Sequence, residues 1–272
     1  MAIVAISQSL GSLGDEMGRA LASAVGYEFA DREIILEAAS RFGEGVGALA
    51  HVTEEKPTLW ERVADTQRHY LTFIESIVLE MATRDNVVLS GRGAPFILRD
   101  VPHVLRVRFT APVAVRARRV AASERLAPAL AEDLVKHADH DRAARIRFLY
   151  QVHWEDPLLY DLIINTERIS APEASRMVAS ALAEPARAAT PESHGALRDR
   201  SLVARSKAAL LVDAQTQHLH VTVTCRDGRV RVSGVVDDET QRSRIQQIVG
   251  GIPGVSGVDA GVSIAPPARF SV

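Results

Sequence analysis

The sequence predicts an α/β fold over residues 1–184, a parallel sheet with helices on both faces, followed by a small α+β unit of order αββαβ. Three observations carry this. Five short apolar runs alternate with stretches of helical spacing, which implies βαβ crossovers and parallel pairing. The first run empties into a Ser/Gly-rich turn that opens a helix. After residue 184 the composition breaks and a new pattern of helix, hairpin, helix and strand begins.

Taken in order, Ala2–Ile6 is a short buried strand. The turn Ser7–Gly14 leads into a helix carrying Met17, Leu21, Ala24 and Val25, with Gly26 as its stop. A strand feeding through a glycine turn into a helix N-terminus is an arrangement that binds phosphate, because backbone N–H groups and the helix dipole face the anion. The pattern G-x-x-x-x-G-K-[ST] is absent: Gly14 stands at its lysine and Asp15 at its Ser/Thr. On these residues alone a plain βα turn is as good a reading as a phosphate site.

Tyr27–Ala30 is a second strand, and Asp31 is the expected N-cap of the next helix. Gly43, Gly45 and Gly47 mark a loose connection before a long helix over Pro57–Arg84, striped by Leu59, Val63, Tyr70, Phe73, Ile74, Ile77 and Leu79. Asn86–Ser90 and Val104–Phe109 are the third and fourth strands, the third ending in Gly91-Arg92-Gly93. A helix starts near Pro112, two more cover Pro128–Lys136 and His140–Tyr150, Asp161–Asn165 is the fifth strand, and Ser170 caps a closing helix. The ligand edge of such a sheet lies beyond the C-terminal strand ends. The first, third and fourth strands deliver their turns there.

Residues 185–200, rich in Pro and Ala without apolar period, are expected to be a linker. The second unit, 201–265, holds a helix (Leu202–Thr216), strands Leu219–Val223 and Arg229–Val235 about an Asp227-Gly228 turn, a helix Asp238–Val249 and a strand Val255–Ile264, with 266–272 as a tail.

Composition narrows the functional classes. A net charge of -2 argues against a nucleic-acid partner, and no apolar run approaches a membrane span. The single cysteine, Cys225, allows neither an internal disulfide nor a Cys-rich metal site, and the chain opens on a strand rather than a signal peptide, so a cytoplasmic setting is expected.

Several pieces together resemble the cytidylate kinase-like family, a branch of the P-loop nucleoside monophosphate kinases. They are Ile6-Ser7 with Gly11-Ser12-Leu13-Gly14, Asp31-Arg32-Glu33-Ile34-Ile35, Gly91-Arg92-Gly93-Ala94 and the arginine-rich segment from Arg116. The most specific is Trp154–Thr166, which matches the family's W-x-D-P-x-x-Y-D-L-x-x-N-T. The C-terminal unit resembles a BON domain through Gly234-Val235-Val236 and Pro253-Gly254-Val255.

The resemblance implies a P-loop kinase-like five-stranded sheet, ATP and Mg²⁺ as cofactors, and CMP or a related nucleotide as acceptor. Ser7, Gly11, Ser12, Leu13 and Gly14 would hold the donor phosphates. Asp31, Arg32 and Arg92 would line the acceptor site, Arg142 and Arg145 would act catalytically from a lid, and Asp15 is the candidate Mg²⁺ ligand. The BON unit would take a small ligand or a phospholipid. The family turn reads S-R-x-x-G-S-G-G-[RH], whereas here Gln8, Leu13 and Asp15 replace its arginine, one glycine and its final basic residue. A working kinase, a non-catalytic nucleotide sensor and a protein-binding scaffold therefore all stay open.

The residues also have plainer readings. Arg116, Arg118 and Arg119 read as a solvated helix face. Arg142 and Arg145 are placed to pair with Asp139 or Asp141. Trp154, Tyr160 and Cys225 read as packing, and His137, His140 and His153 as surface groups. Arg92 between two glycines favours function.

Overall fold

In the computed structural model, which describes residues 2–45, 49 and 66–264, two sheets are built from sequence-local units. The first contains β1 (Ile3–Gln8), β2 (Glu28–Ala30), β3 (Val87–Ser90), β4 (Val104–Thr110) and β5 (Leu162–Asn165), in the order β2-β3-β1-β4-β5, all parallel. β1 is central because Ile3, Val4, Ala5 and Ile6 are apolar on both faces, which only a doubly covered strand can bury.

The helices of this unit are α1 (Gly14–Val25), α2 (Arg32–Phe42), α3 (Thr66–Ala82), the short α4 (Ala94–Ile97), α5 (Val113–Glu124), α6 (Pro128–Tyr150) and α7 (Ala171–Leu182). They divide the core in two. Ile3 and Ala5 join α2 and α3 on one face, while Val4 and Ile6 join α1 and α7 on the other. From β1 the chain passes outward to β2, returns to β3, then crosses to β4. The strand order thus reverses around β1, and a crevice opens at its C-terminal end.

The second unit pairs β6 (Val221–Arg226) antiparallel with β7 (Arg229–Val236), and β7 parallel with β8 (Gly257–Ile264). Helix α9 (Glu239–Gly250) starts at Asp238, whose carboxylate accepts from the Gln241 backbone N–H.

The expected elements recur with three corrections. The two helices expected over 128–136 and 140–150 are one, α6, since neither Gly nor Pro interrupts residues 129–150. The expected linker 185–200 holds one turn at Pro185–Arg187 and then enters α8 (Pro191–Val212), which Thr190 and Ser193 start with a reciprocal capping box. Helix α8 serves two cores: Leu197, Ala204 and Ala208 pack with the first unit, and Leu202 and Leu210 with the second. Its apolar residues lie on two faces, so no single stripe marks it in the sequence. Asp31 and Ser170 occupy their N-cap positions, but neither side chain caps its helix. Residues 57–65 of the long expected helix, with Leu59 and Val63, lie outside the described residues, as do Gly47 and the tail from Pro266.

Candidate functional site

The turn after β1 is a fixed loop. Its Ser9 N–H donates to the Phe109 carbonyl at 3.2 Å, and Ser12 N–H closes back on the Ser9 carbonyl at 3.0 Å. Gly11 has φ +75°, and a Cβ there would stand 2.7 Å from the Arg116 carbonyl oxygen, so only glycine fits. Leu13, at the N-cap of α1, holds φ 61°, a conformation that disfavours side chains by about 1 kcal/mol. This is the position at which the resemblance expects a glycine.

Two arginines clamp the loop from α5, which corrects the expectation of a solvated face. Arg116 is buried: Nε donates to the Ala111 carbonyl at 2.7 Å, Nη1 to the Leu10 carbonyl at 3.2 Å, and both Nη groups grip Asp139. Arg119 donates to the Gly11 carbonyl and to Thr166 on the far side of β5. Asp139 therefore serves Arg116 rather than Arg142 or Arg145.

At the start of α1 the Gln8 carboxamide lies across Gly14, where an added Cβ would meet Gln8 Oε1 at 2.1 Å. Gln8 Nε2 donates to Asp15 Oδ1 at 2.6 Å, and Ser90 Oγ, at the end of β3, donates to the same oxygen at 3.2 Å.

Beyond these strand ends lies a cavity of about 410 Å³. Arg92 enters it from the turn after β3, Arg142 and Arg145 from α6, Asp15 and Glu16 from α1 and Asp31 from the N-cap of α2, so three guanidinium groups and three carboxylates converge. Gly91, Arg92 and Gly93 have φ of 72°, 51° and 75°, a run in which the flanking glycines carry the tight turn. The Asp31 carboxylate, released from capping, faces Arg92 at 3.4 Å. Arg142 donates to the Gln8 carbonyl, and Arg145 is 1% exposed, so both stand in the wall of the cavity. Tyr150 lies over Gly93, whose added Cβ would be 2.1 Å from the phenol oxygen. Burial raises the Tyr150 phenol well above its ordinary value and keeps it neutral.

Of the residues expected at the donor site, Ser7, Gly11, Leu13 and Gly14 line the cavity, whereas Ser12 is fully buried behind it. Arg32 is exposed and does not join the lining. Sequence reasoning missed Gln8 as a plug and Ser90 as a partner of Asp15, since these contacts span 7 and 75 residues.

The Trp154–Thr166 segment is the scaffold behind the loop, as expected of packing residues. Trp154 Nε1 donates to Ser7 Oγ at 2.9 Å, Arg108 stacks on the indole at 4.1 Å, and Tyr160 donates to the Trp154 carbonyl at 2.8 Å. Thr166 Oγ1 donates to the Ser12 carbonyl at 2.8 Å.

Comparison with known proteins fits this geometry. The cytidylate kinase-like family matches residues 3–168 and the BON domain matches residues 198–266. The cytidylate kinase of Natronomonas pharaonis is 34% identical over 100 residues, 37% of this chain and 52% of its own length. That of Methanopyrus kandleri is 27% identical over 189 residues, 66% of this chain and 92% of its own length. The chain spans about half the length of the relatives that it matches at 34% identity. The solved structure of an uncharacterized protein from Eubacterium ventriosum shares the fold, with a TM-score of 0.53 at 20% identity, covering 67% of this chain and 98% of its own. With the family match extending over more than half of its residues, the chain belongs to the cytidylate kinase-like family and carries a BON domain at its C-terminal side.

Proposed function

We propose that residues 1–184 transfer a phosphoryl group from ATP to CMP or a related nucleoside monophosphate, in the cytoplasm, and that the BON unit, 201–265, binds a small ligand or a phospholipid. The observation that carries the kinase reading is the convergence of Arg92, Arg142 and Arg145 on one cavity beside a helix N-terminus. Phosphoryl transfer needs little covalent help from a protein; it needs positioning and positive charge around the migrating group. Arg92 takes the acceptor phosphate, with Asp31 holding its guanidinium in place. Arg142 and Arg145 face the charge that builds between the two nucleotides. The donor phosphates meet Gly11, Leu13, Gly14 and the first N–H groups of α1, which have no partner inside the helix.

The residues fit Mg²⁺ as well. Asp15 offers a hard carboxylate oxygen at the cavity edge, held by Gln8 and Ser90. When bound there, the ion supplies the countercharge between the carboxylate and the donor phosphates that the missing lysine would otherwise supply.

The test is ADP release from Mg-ATP with CMP, dCMP, UMP and AMP, beside calorimetric titration of the same nucleotides. Turnover with one acceptor establishes the kinase. Binding without turnover establishes a second reading, a nucleotide sensor, which the Gln8 plug over Gly14 favours. Neither binding nor turnover removes both.

A further inference from the structure

The three ends that begin or precede β3, β4 and α8 come together at the edge of the sheet opposite the nucleotide cavity. Asp85 precedes β3, His103 precedes β4 and His194 lies in the first turn of α8. One ligand atom from each of the three lies within 4.8 Å of the others, and His194 Nε2 is already 3.5 Å from Asp85 Oδ2. The His103 and His194 rings sit 5.0 Å apart, centroid to centroid.

A second observation points to a ligand. His103 is 1% exposed, and both of its ring nitrogens lack a hydrogen-bond partner, as does the buried Oδ1 of Asp85. Native interiors rarely leave an imidazole with neither nitrogen satisfied. A plain Asp85–His194 ion pair accounts for two of the side chains and leaves His103 unexplained. A metal ion accounts for all three.

We infer that Asp85, His103 and His194 bind one divalent transition-metal ion of the zinc class. Two imidazoles and a carboxylate form a donor set that zinc accepts in tetrahedral geometry, with water in the fourth position. Hard ions such as Mg²⁺ prefer all-oxygen surroundings and are not expected here. With metal–ligand bonds of about 2.0–2.2 Å the donors would stand roughly 3.3 Å apart, so one pair already has the spacing and the others close by small side-chain rotations. Because His194 belongs to α8 and the other two ligands to the turns that lead into β3 and β4, the ion ties the start of that helix to the sheet. None of the three lines the nucleotide cavity, so the site stands or falls independently of the kinase reading.

The experiment uses the full chain, stripped with chelator and titrated with Zn²⁺ against a chromophoric competitor, and then with Co²⁺. One tight equivalent is expected, with an intense tetrahedral Co²⁺ spectrum and a rise in Tm that Mg²⁺ does not reproduce. His194→Gln, at a half-buried position where folding is at little risk, should weaken Zn²⁺ binding at least ~10-fold, and His103→Gln likewise. His137→Gln, on the exposed side of α6, should leave binding unchanged. Absence of a tight equivalent, a weak octahedral Co²⁺ spectrum, or full retention of binding in folded His194→Gln would each overturn the assignment.

Discussion

Gln8 and Asp15 are joined by a 2.6 Å hydrogen bond that spans the mouth of the loop between β1 and α1. The two residues replace an arginine and a basic residue of the family pattern, and they replace them as a pair. A neutral carboxamide and a carboxylate satisfy each other where two cations would have faced phosphate. The turn carries a carboxylate where the family pattern carries basic residues.

If Asp15 holds Mg²⁺, Asp15→Asn should lower turnover about 100-fold, the scale of one lost preorganised electrostatic contact, while acceptor binding stays within about twofold. Coupled ADP release and calorimetry on the same preparation separate the two quantities. Tighter ATP binding without metal in the variant would instead identify Asp15 as a repulsive group.

Arg92→Ala should weaken binding of the nucleoside monophosphate by about 10–100-fold, as expected for a charge-assisted hydrogen bond, and should leave Asp31 facing the cavity without its 3.4 Å partner. Calorimetric titration reads the loss. Unchanged affinity would remove the acceptor role and favour a scaffold.

Arg116→Ala should destabilise the fold by about 3 kcal/mol, because Asp139 and the carbonyls of Leu10 and Ala111 lose their common donor. Asp139→Ala should cost a comparable amount, since it leaves the buried Arg116 guanidinium without its countercharge. Urea unfolding of the two variants gives the comparison.

Much of the fold was legible because its signals are local. The apolar run of β1, the Gly91-Arg92-Gly93 turn and the Trp154–Thr166 segment each carry their meaning in consecutive residues. What escaped depends on partners far along the chain. Arg116 and Arg119 look solvated in a helix, and only Asp139 and Thr166, 23 and 47 residues away, show that they are anchors. Asp85, His103 and His194 have no motif spacing at all; topology alone collects them.

Asp161, in the family segment, should contribute to acid sensitivity. Burial raises the Asp161 carboxyl, but hydrogen bonds from the Arg106 side chain and backbone, with Arg106 and Arg187 charge, outweigh it and hold the group below its ordinary value. A carboxylate with a lowered folded-state value adds stability that is full above its unfolded value, near ~4, and drains away as pH falls through the folded one. The urea midpoint should therefore fall below about pH 4, and Asp161→Asn should be less stable at pH 7 and lose less on acidification. Equal slopes in the two proteins would show that Asp161 contributes nothing to acid unfolding.

Helix α8 gives one strip of side chains to each of two cores, Leu197, Ala204 and Ala208 to the first and Leu202 and Leu210 to the second. Neither half of the molecule can be excised cleanly. A protein cut before Pro191 would keep every strand of the parallel sheet yet leave a dry furrow along α3 open to water, and a BON fragment begun at residue 198 would carry the missing filler on its outside. The two halves should melt in a single transition, and a ligand that steadies one should raise the midpoint of both.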